Sequence, residues 1–100
     1  MADTPETKLK KKCCAYLDSL GDDCWYFKVK GGPEQKAGVP DIVGCIAGIF
    51  FAAELKVKPN KPTEKQLYEI EKIRSAVGAT GVVYTYEQFV ELVKHARFIR

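Results

Sequence analysis

The chain has a single histidine, His95, and its four cysteines (Cys13, Cys14, Cys24 and Cys45) show no C-x-x-C spacing. Structural zinc needs several such ligands at short intervals, so no zinc site is expected, and the cysteines read as free, buried thiols of a reducing compartment. No apolar run approaches the roughly 20 residues of a membrane-spanning helix. The longest, Ile42 to Ala53, is interrupted by Gly44 and Gly48. Met1-Ala2-Asp3-Thr4-Pro5-Glu6 contains no apolar signal region, so a cytoplasmic protein without membrane partners is expected. Internal repeats and low-complexity segments are absent as well.

What remains is the composition of one small globular domain spanning residues 1–100, with 46% hydrophobic and 29% charged residues. The net charge of +3 is mild, but its distribution is uneven. Lys8, Lys10, Lys11 and Lys12 crowd one segment, Lys28, Lys30 and Lys36 flank a glycine-containing loop, and Lys56, Lys58, Lys61 and Lys65 form a third group. Such clusters suit a polyanionic partner, although a solvated lysine-rich surface has the same pattern.

Thr4-Pro5-Glu6 has the chemistry of a helix start: a capping hydroxyl, a proline at the first turn and an acid at the positive end of the dipole. Leu9, Cys13, Tyr16, Leu17 and Leu20 continue it at helical spacing, and Gly21 closes it. Cys24 to Lys30 alternates as a strand, and residues 31–38 form a polar loop. Two further strands, Asp41–Ile46 and Ile49–Val57, flank Ala47-Gly48. With that dipeptide at the hairpin tip, Ile46 faces Ile49, Cys45 faces Phe50, Val43 faces Ala52 and Asp41 faces Glu54. Opposed residues share a face, and the period of two adds Lys56 to it.

Thr63-Glu64-Lys65-Gln66 has the capping-box form, followed by a stripe of Leu67, Ile70, Ile73 and Val77 up to Gly78. Thr80–Tyr84 reads as a short buried strand, and Thr85-Tyr86-Glu87-Gln88 opens a last helix carrying Phe89, Leu92, Val93 and Ala96. The order is α-β-β-β-α-β-α. The second helix crosses over to a fourth strand parallel to the third, giving an α/β fold with a mixed four-stranded sheet.

The chemistry concentrates at Gly38-Val39-Pro40-Asp41 and Glu54-Leu55-Lys56. Phosphodiester hydrolysis needs an activated water, neutralisation of charge at phosphorus and help for the leaving alkoxide. A hard divalent cation on oxygen ligands supplies much of this. Asp41, Glu54 and the main-chain carbonyl of Leu55 are suitable ligands. Lys56 is placed to hold the phosphate, to stabilise developing charge or to orient the attacking water. A cross-strand ion pair on an exposed sheet face is the plainer explanation of the same residues.

These two motifs in this αβββαβ order resemble the PD-(D/E)XK nuclease superfamily, and within it the virus-type replication–repair nuclease (VRR-NUC) domain. Glu6 early in the first helix, the glycine-rich approach to Pro40-Asp41 and Gln66 after the lysine carry the likeness to that branch. The resemblance covers Thr4 to Tyr84. It implies a restriction-endonuclease-like αβββαβ core with an additional C-terminal helix. It also implies Mg2+ or Mn2+ on Asp41 and Glu54, with Glu6 an indirect or occasional direct ligand. Lys56 becomes the catalytic lysine and Gln66 a helper orienting phosphate or lysine. Helix-end chemistry explains Glu6 and Gln66 equally well.

Stand-alone phage-type members of that branch resemble Holliday-junction resolvases and act as homodimers. The chain is therefore expected to be a metal-dependent endonuclease on four-way or branched DNA, working in the host cytoplasm if phage-encoded. Lys8, Lys28, Lys30, Lys36, Lys58 and Lys61 are the expected phosphate contacts. The apolar last helix, with Phe89, Val93, Phe98 and Ile99, is the expected dimer surface. The rival readings are a non-catalytic DNA-binding or architectural module and a small subunit of a larger complex. The residues alone do not separate DNA from RNA.

Overall fold

The Thr4 hydroxyl accepts a hydrogen bond from Thr7 N–H, which sets the start of the first helix one residue later at Pro5. A computed structural model describes residues 3–31, 36–76 and 78–98. In chain order the elements are α1 (Pro5–Asp18), a 3-10 turn (Gly21–Asp23), β1 (Cys24–Lys28), β2 (Ile42–Ile46), β3 (Ile49–Leu55), α2 (Glu64–Ser75), β4 (Ala79–Val83) and α3 (Tyr86–Arg97). Thr63 caps α2 through a complete capping box and Thr85 caps α3, as their sequences require.

The sheet order is β1-β2-β3-β4; the first two pairings are antiparallel and β3–β4 is parallel. This is the mixed α+β sheet expected, and the hairpin register agrees: Ile46 faces Ile49, Cys45 faces Phe50 and Val43 faces Ala52. Ala47 and Gly48 both adopt positive φ, at 48° and 87°. Such a pair makes a two-residue turn whose twist matches that of the strands.

The strands are shorter than their sequence patterns. β1 ends at Lys28 and β3 at Leu55, while β2 begins after Asp41. The backbone still runs on beside its neighbours: Val29 N–H donates to the Asp41 carbonyl and Lys56 N–H to the Val83 carbonyl.

One face of the sheet carries the main core. Leu9, Cys13 and Leu17 of α1 and Phe89, Val93 and Ala96 of α3 pack on Ile42, Ile46, Phe51, Ala53 and Leu55. Burying a side chain such as Phe89 contributes about 1.5–3 kcal/mol, so this layer holds the fold. Phe89 and Val93 are spent in the core and are not available as a dimer surface. Phe98 is exposed, and Ile99 lies outside the described residues. Other exposed aromatics are Trp25, Phe27 and Phe50 on the strands and Tyr68 on α2. The alternation in β1 is real, but its covered side is that of Cys24 and Tyr26.

Helix α2 packs against β4 outside that core layer. Of its expected stripe, Ile70 is buried and Ile73 half-buried, whereas Leu67 is exposed and Val77 lies outside the described residues. All four cysteines are free, but only Cys13 is fully buried and Cys45 is exposed, against the expectation of buried thiols throughout. Among the described residues, no helix is long and apolar enough to cross a membrane.

Candidate active site

The hairpin register delivers Asp41 to the end of β2, across from the last residues of β3. Asp41 Oδ2 accepts a hydrogen bond from Leu55 N–H at 2.8 Å. The approach to Asp41 is tightly fixed. Gly38 has φ +84°, and a Cβ there would lie 2.6 Å from the Lys65 carbonyl oxygen, so only glycine lets the loop rest on α2. Pro40 beside it is fully buried.

Glu54 is 2% exposed, although sequence alternation placed it on a polar strand face. Its Oε2 lies 3.7 Å from Lys56 Nζ, whose own side chain is mostly covered. Its Oε1 is buried without a hydrogen-bond partner. Burial is the largest influence on its carboxyl, followed by the charge of Asp41 and hydrogen-bond contact with it. Together they push the Glu54 pKa up to about 8, with Lys56 pulling it down and Glu6 adding a smaller upward push. Asp41, Glu54 and Lys56 therefore meet as the register requires, and Glu6 is close enough for its charge to be felt.

An orphaned, buried carboxylate oxygen beside a second carboxylate is an unfavourable arrangement for a protein to leave uncompensated. A shared divalent cation would compensate it and hold both acids ionised. Asp41, Glu54 and the Leu55 carbonyl form an all-oxygen donor set of the kind hard cations prefer. Among the described residues, no group of three or more His, Cys, Asp or Glu side chains is clustered to hold an ion by side chains alone. An ion held by Asp41 and Glu54 would need main-chain or water ligands to complete its shell.

Gln66 caps its helix and also borders the cavity next to Asp41. Its Oε1 accepts from Thr63 N–H at 2.8 Å, completing the helix cap. It also lines, with Val29, Lys30, Lys36, Gly38 and Asp41, a cavity of ≈ 280 Å³. Lys30 and Lys36 thus come to the site. Lys28 does not: it lines a separate cavity of ≈ 240 Å³ under α1, with Lys10, Lys11 and Asp18. Lys8, Lys58 and Lys61 are exposed.

Glu69 is the residue sequence reasoning missed. Its side chain is 8% exposed and takes Lys36 at 3.2 Å and Lys65 at 3.6 Å. The signal was its place on one helical face with Gln66, Ile70 and Ile73, a charged residue inside a stripe that faces inward.

No protein-family model and no curated protein matches the chain in sequence. A solved structure described as a VRR_NUC domain superposes with a TM-score of 0.76 and 26% identity, covering 93% of this chain and 98% of that one. The chain has the fold of that VRR_NUC domain. The superposition spans nearly the whole of both chains. The fold expected from Pro40-Asp41, Glu54-Leu55-Lys56 and the αβββαβ order is the one found.

Proposed function

We propose that this VRR-NUC domain is a nuclease: a Mg2+- or Mn2+-dependent endonuclease that hydrolyses phosphodiester bonds in branched DNA, four-way junctions included. The likeness to a domain whose description names a nuclease supports the general activity. The observation that carries the mechanism is the buried Glu54 carboxylate, with one oxygen unpartnered, set between Asp41 and Lys56.

When bound, the divalent ion supplies Lewis-acid polarisation of the phosphate and a water of lowered pKa. The residues of this chain do the rest. Asp41 and Glu54 offer carboxylate oxygens and Leu55 its main-chain carbonyl. Lys56 presents an ammonium where negative charge develops on the non-bridging oxygens. Gln66 keeps its carbonyl oxygen on the helix cap and lines the cavity that Asp41 shares. Lys30 at that cavity contacts the phosphate backbone, which favours recognition of shape over base sequence.

Symmetric cleavage of a four-way junction needs two such sites in one assembly, so a twofold homodimer is part of the proposal. The test is incubation of linear duplex, flap, four-way junction and single-stranded RNA with Mg2+ or Mn2+. Metal-dependent cutting of branched DNA, abolished by Asp41→Ala and by Lys56→Ala, is expected. Metal-independent cutting, or junction binding without any cutting, would mean a different mechanism or an architectural module.

A further inference from the structure

Glu69 has a burial that the chemistry described above leaves unexplained. It sits on the second turn of α2, and its carboxylate is almost wholly covered. A buried carboxylate must be paired, and stripping its partner leaves an uncompensated charge. Lys65, one turn earlier on the same helix, is 3.6 Å away. The nearer partner, Lys36 at 3.2 Å, comes from the loop that leads through Gly38 and Pro40 into Asp41. An exposed lysine on an exposed acid contributes little. Here the acid is buried, so the pairing draws the loop onto the helix.

Three attachments then fix the segment carrying Asp41. Lys36 is held on Glu69 at its start. Gly38 lies in the middle, so close to α2 that a Cβ there would meet the Lys65 carbonyl oxygen at 2.6 Å. At its end the Asp41 carboxylate sits on Leu55 N–H. The first two belong to α2 and the third to β3. The position of Asp41 relative to Glu54 is therefore set by how α2 holds the loop.

We propose that Glu69 is a positioning residue: through its ion pair with Lys36 it anchors the Asp41 loop to α2 and so sets the geometry of the two carboxylates. The inference rests on the nuclease reading only in its activity arm. It separates Lys36 from the other cavity lysine, Lys30, whose side chain has no such buried partner among the described ion pairs.

The experiment compares Lys36→Met, Glu69→Gln and the double variant with Lys36→Arg. Three readouts are used: exchange of the Leu55 amide in metal-free protein by NMR, Mn2+ affinity by calorimetry, and kcat and KM on a cleaved junction. Each single change is expected to speed Leu55 exchange, and to weaken Mn2+ binding and lower kcat by about tenfold, as loss of a ligand-orienting partner does. KM should stay constant. The double variant should be no worse than Glu69→Gln alone, because that single change already removes the Lys36–Glu69 pair, and Lys36→Arg should keep wild-type values. In Lys36→Met the Glu69 carboxylate keeps Lys65 as a partner, so this variant folds even if Glu69→Gln does not.

A raised KM with unchanged Leu55 exchange and Mn2+ affinity would make Lys36 a phosphate contact and overturn the proposal. Additive effects of the two single changes would overturn it too. If the wild-type domain cuts no nucleic acid, the nuclease reading fails, while the exchange and Mn2+ arms still decide the role of Glu69.

Discussion

Asp41 Oδ2 accepts the Leu55 N–H at 2.8 Å, so the same carboxylate closes the hairpin end and faces Glu54. Structure and chemistry can be separated here by the choice of substitution. Asp41→Asn keeps an acceptor for Leu55 N–H and loses the charge. It should fold with a near-native melting temperature and lose Mn2+ binding and cleavage. Asp41→Ala leaves the Leu55 N–H unpaired and should cost a further 1–3 kcal/mol or about that. Thermal melting of the two variants side by side checks the difference.

Glu54 makes the metal-free domain sensitive to alkali. Its carboxyl titrates at about 8 in the folded chain against an ordinary value of 4.5. The folded state therefore binds this proton more tightly than the unfolded one. The stabilisation is complete below about pH 4.5 and is lost as the pH climbs toward 8. The loss is on the order of a few kcal/mol. Melting in EDTA should show a falling transition temperature between pH 5 and 8, a flatter profile for Glu54→Gln, and recovery at pH 8 on adding Mn2+.

Lys56 offsets part of that cost through its 3.7 Å contact with Glu54. Lys56→Met should abolish cleavage and also lower the metal-free melting temperature at pH 8, where Glu54 is ionised. At pH 5, where Glu54 holds its proton, the same substitution should be nearly neutral. A pH-independent effect would mean that Lys56 stabilises by packing alone.

Gln66 carries two roles that one pair of variants divides. Gln66→Ala removes the acceptor for Thr63 N–H and should destabilise α2 by about 0.5–2 kcal/mol, the usual value of a lost cap. Gln66→Glu keeps the cap and puts a negative charge into the cavity beside Asp41. It should melt like wild type and cleave at least about tenfold more slowly, the cost of one misplaced group at a phosphoryl site. Full activity in Gln66→Glu would leave the residue a cap and nothing more.

The hairpin was legible because one alternation fixes everything in it. Once Ala47-Gly48 is the tip, continuing the register brings Asp41 opposite Glu54, with Lys56 on the same face. The Thr63–Gln66 cap was legible for a similar reason, since its residues contact only each other. What escaped depends on which face the rest of the chain covers. Alternation in β1 separates Trp25 and Phe27 from Tyr26 but does not say which side meets a helix. The apolar residues of α3 read as a surface until α1 is laid across them. Glu69 escaped because the nearer lysine that pairs with it comes from 33 residues earlier in the chain.

The most direct measurement is a crystal structure of the wild-type domain grown with Mn2+ near pH 7.5, with anomalous scattering to locate the ion. A single strong peak is expected within coordination distance of the Asp41 and Glu54 carboxylates and the Leu55 carbonyl, roughly 2.0–2.2 Å as for small hard cations. Lys56 should lie beside it with its ammonium released from Glu54. An empty site under saturating Mn2+, with the 3.7 Å Lys56–Glu54 contact intact, would contradict metal-dependent cleavage at these residues.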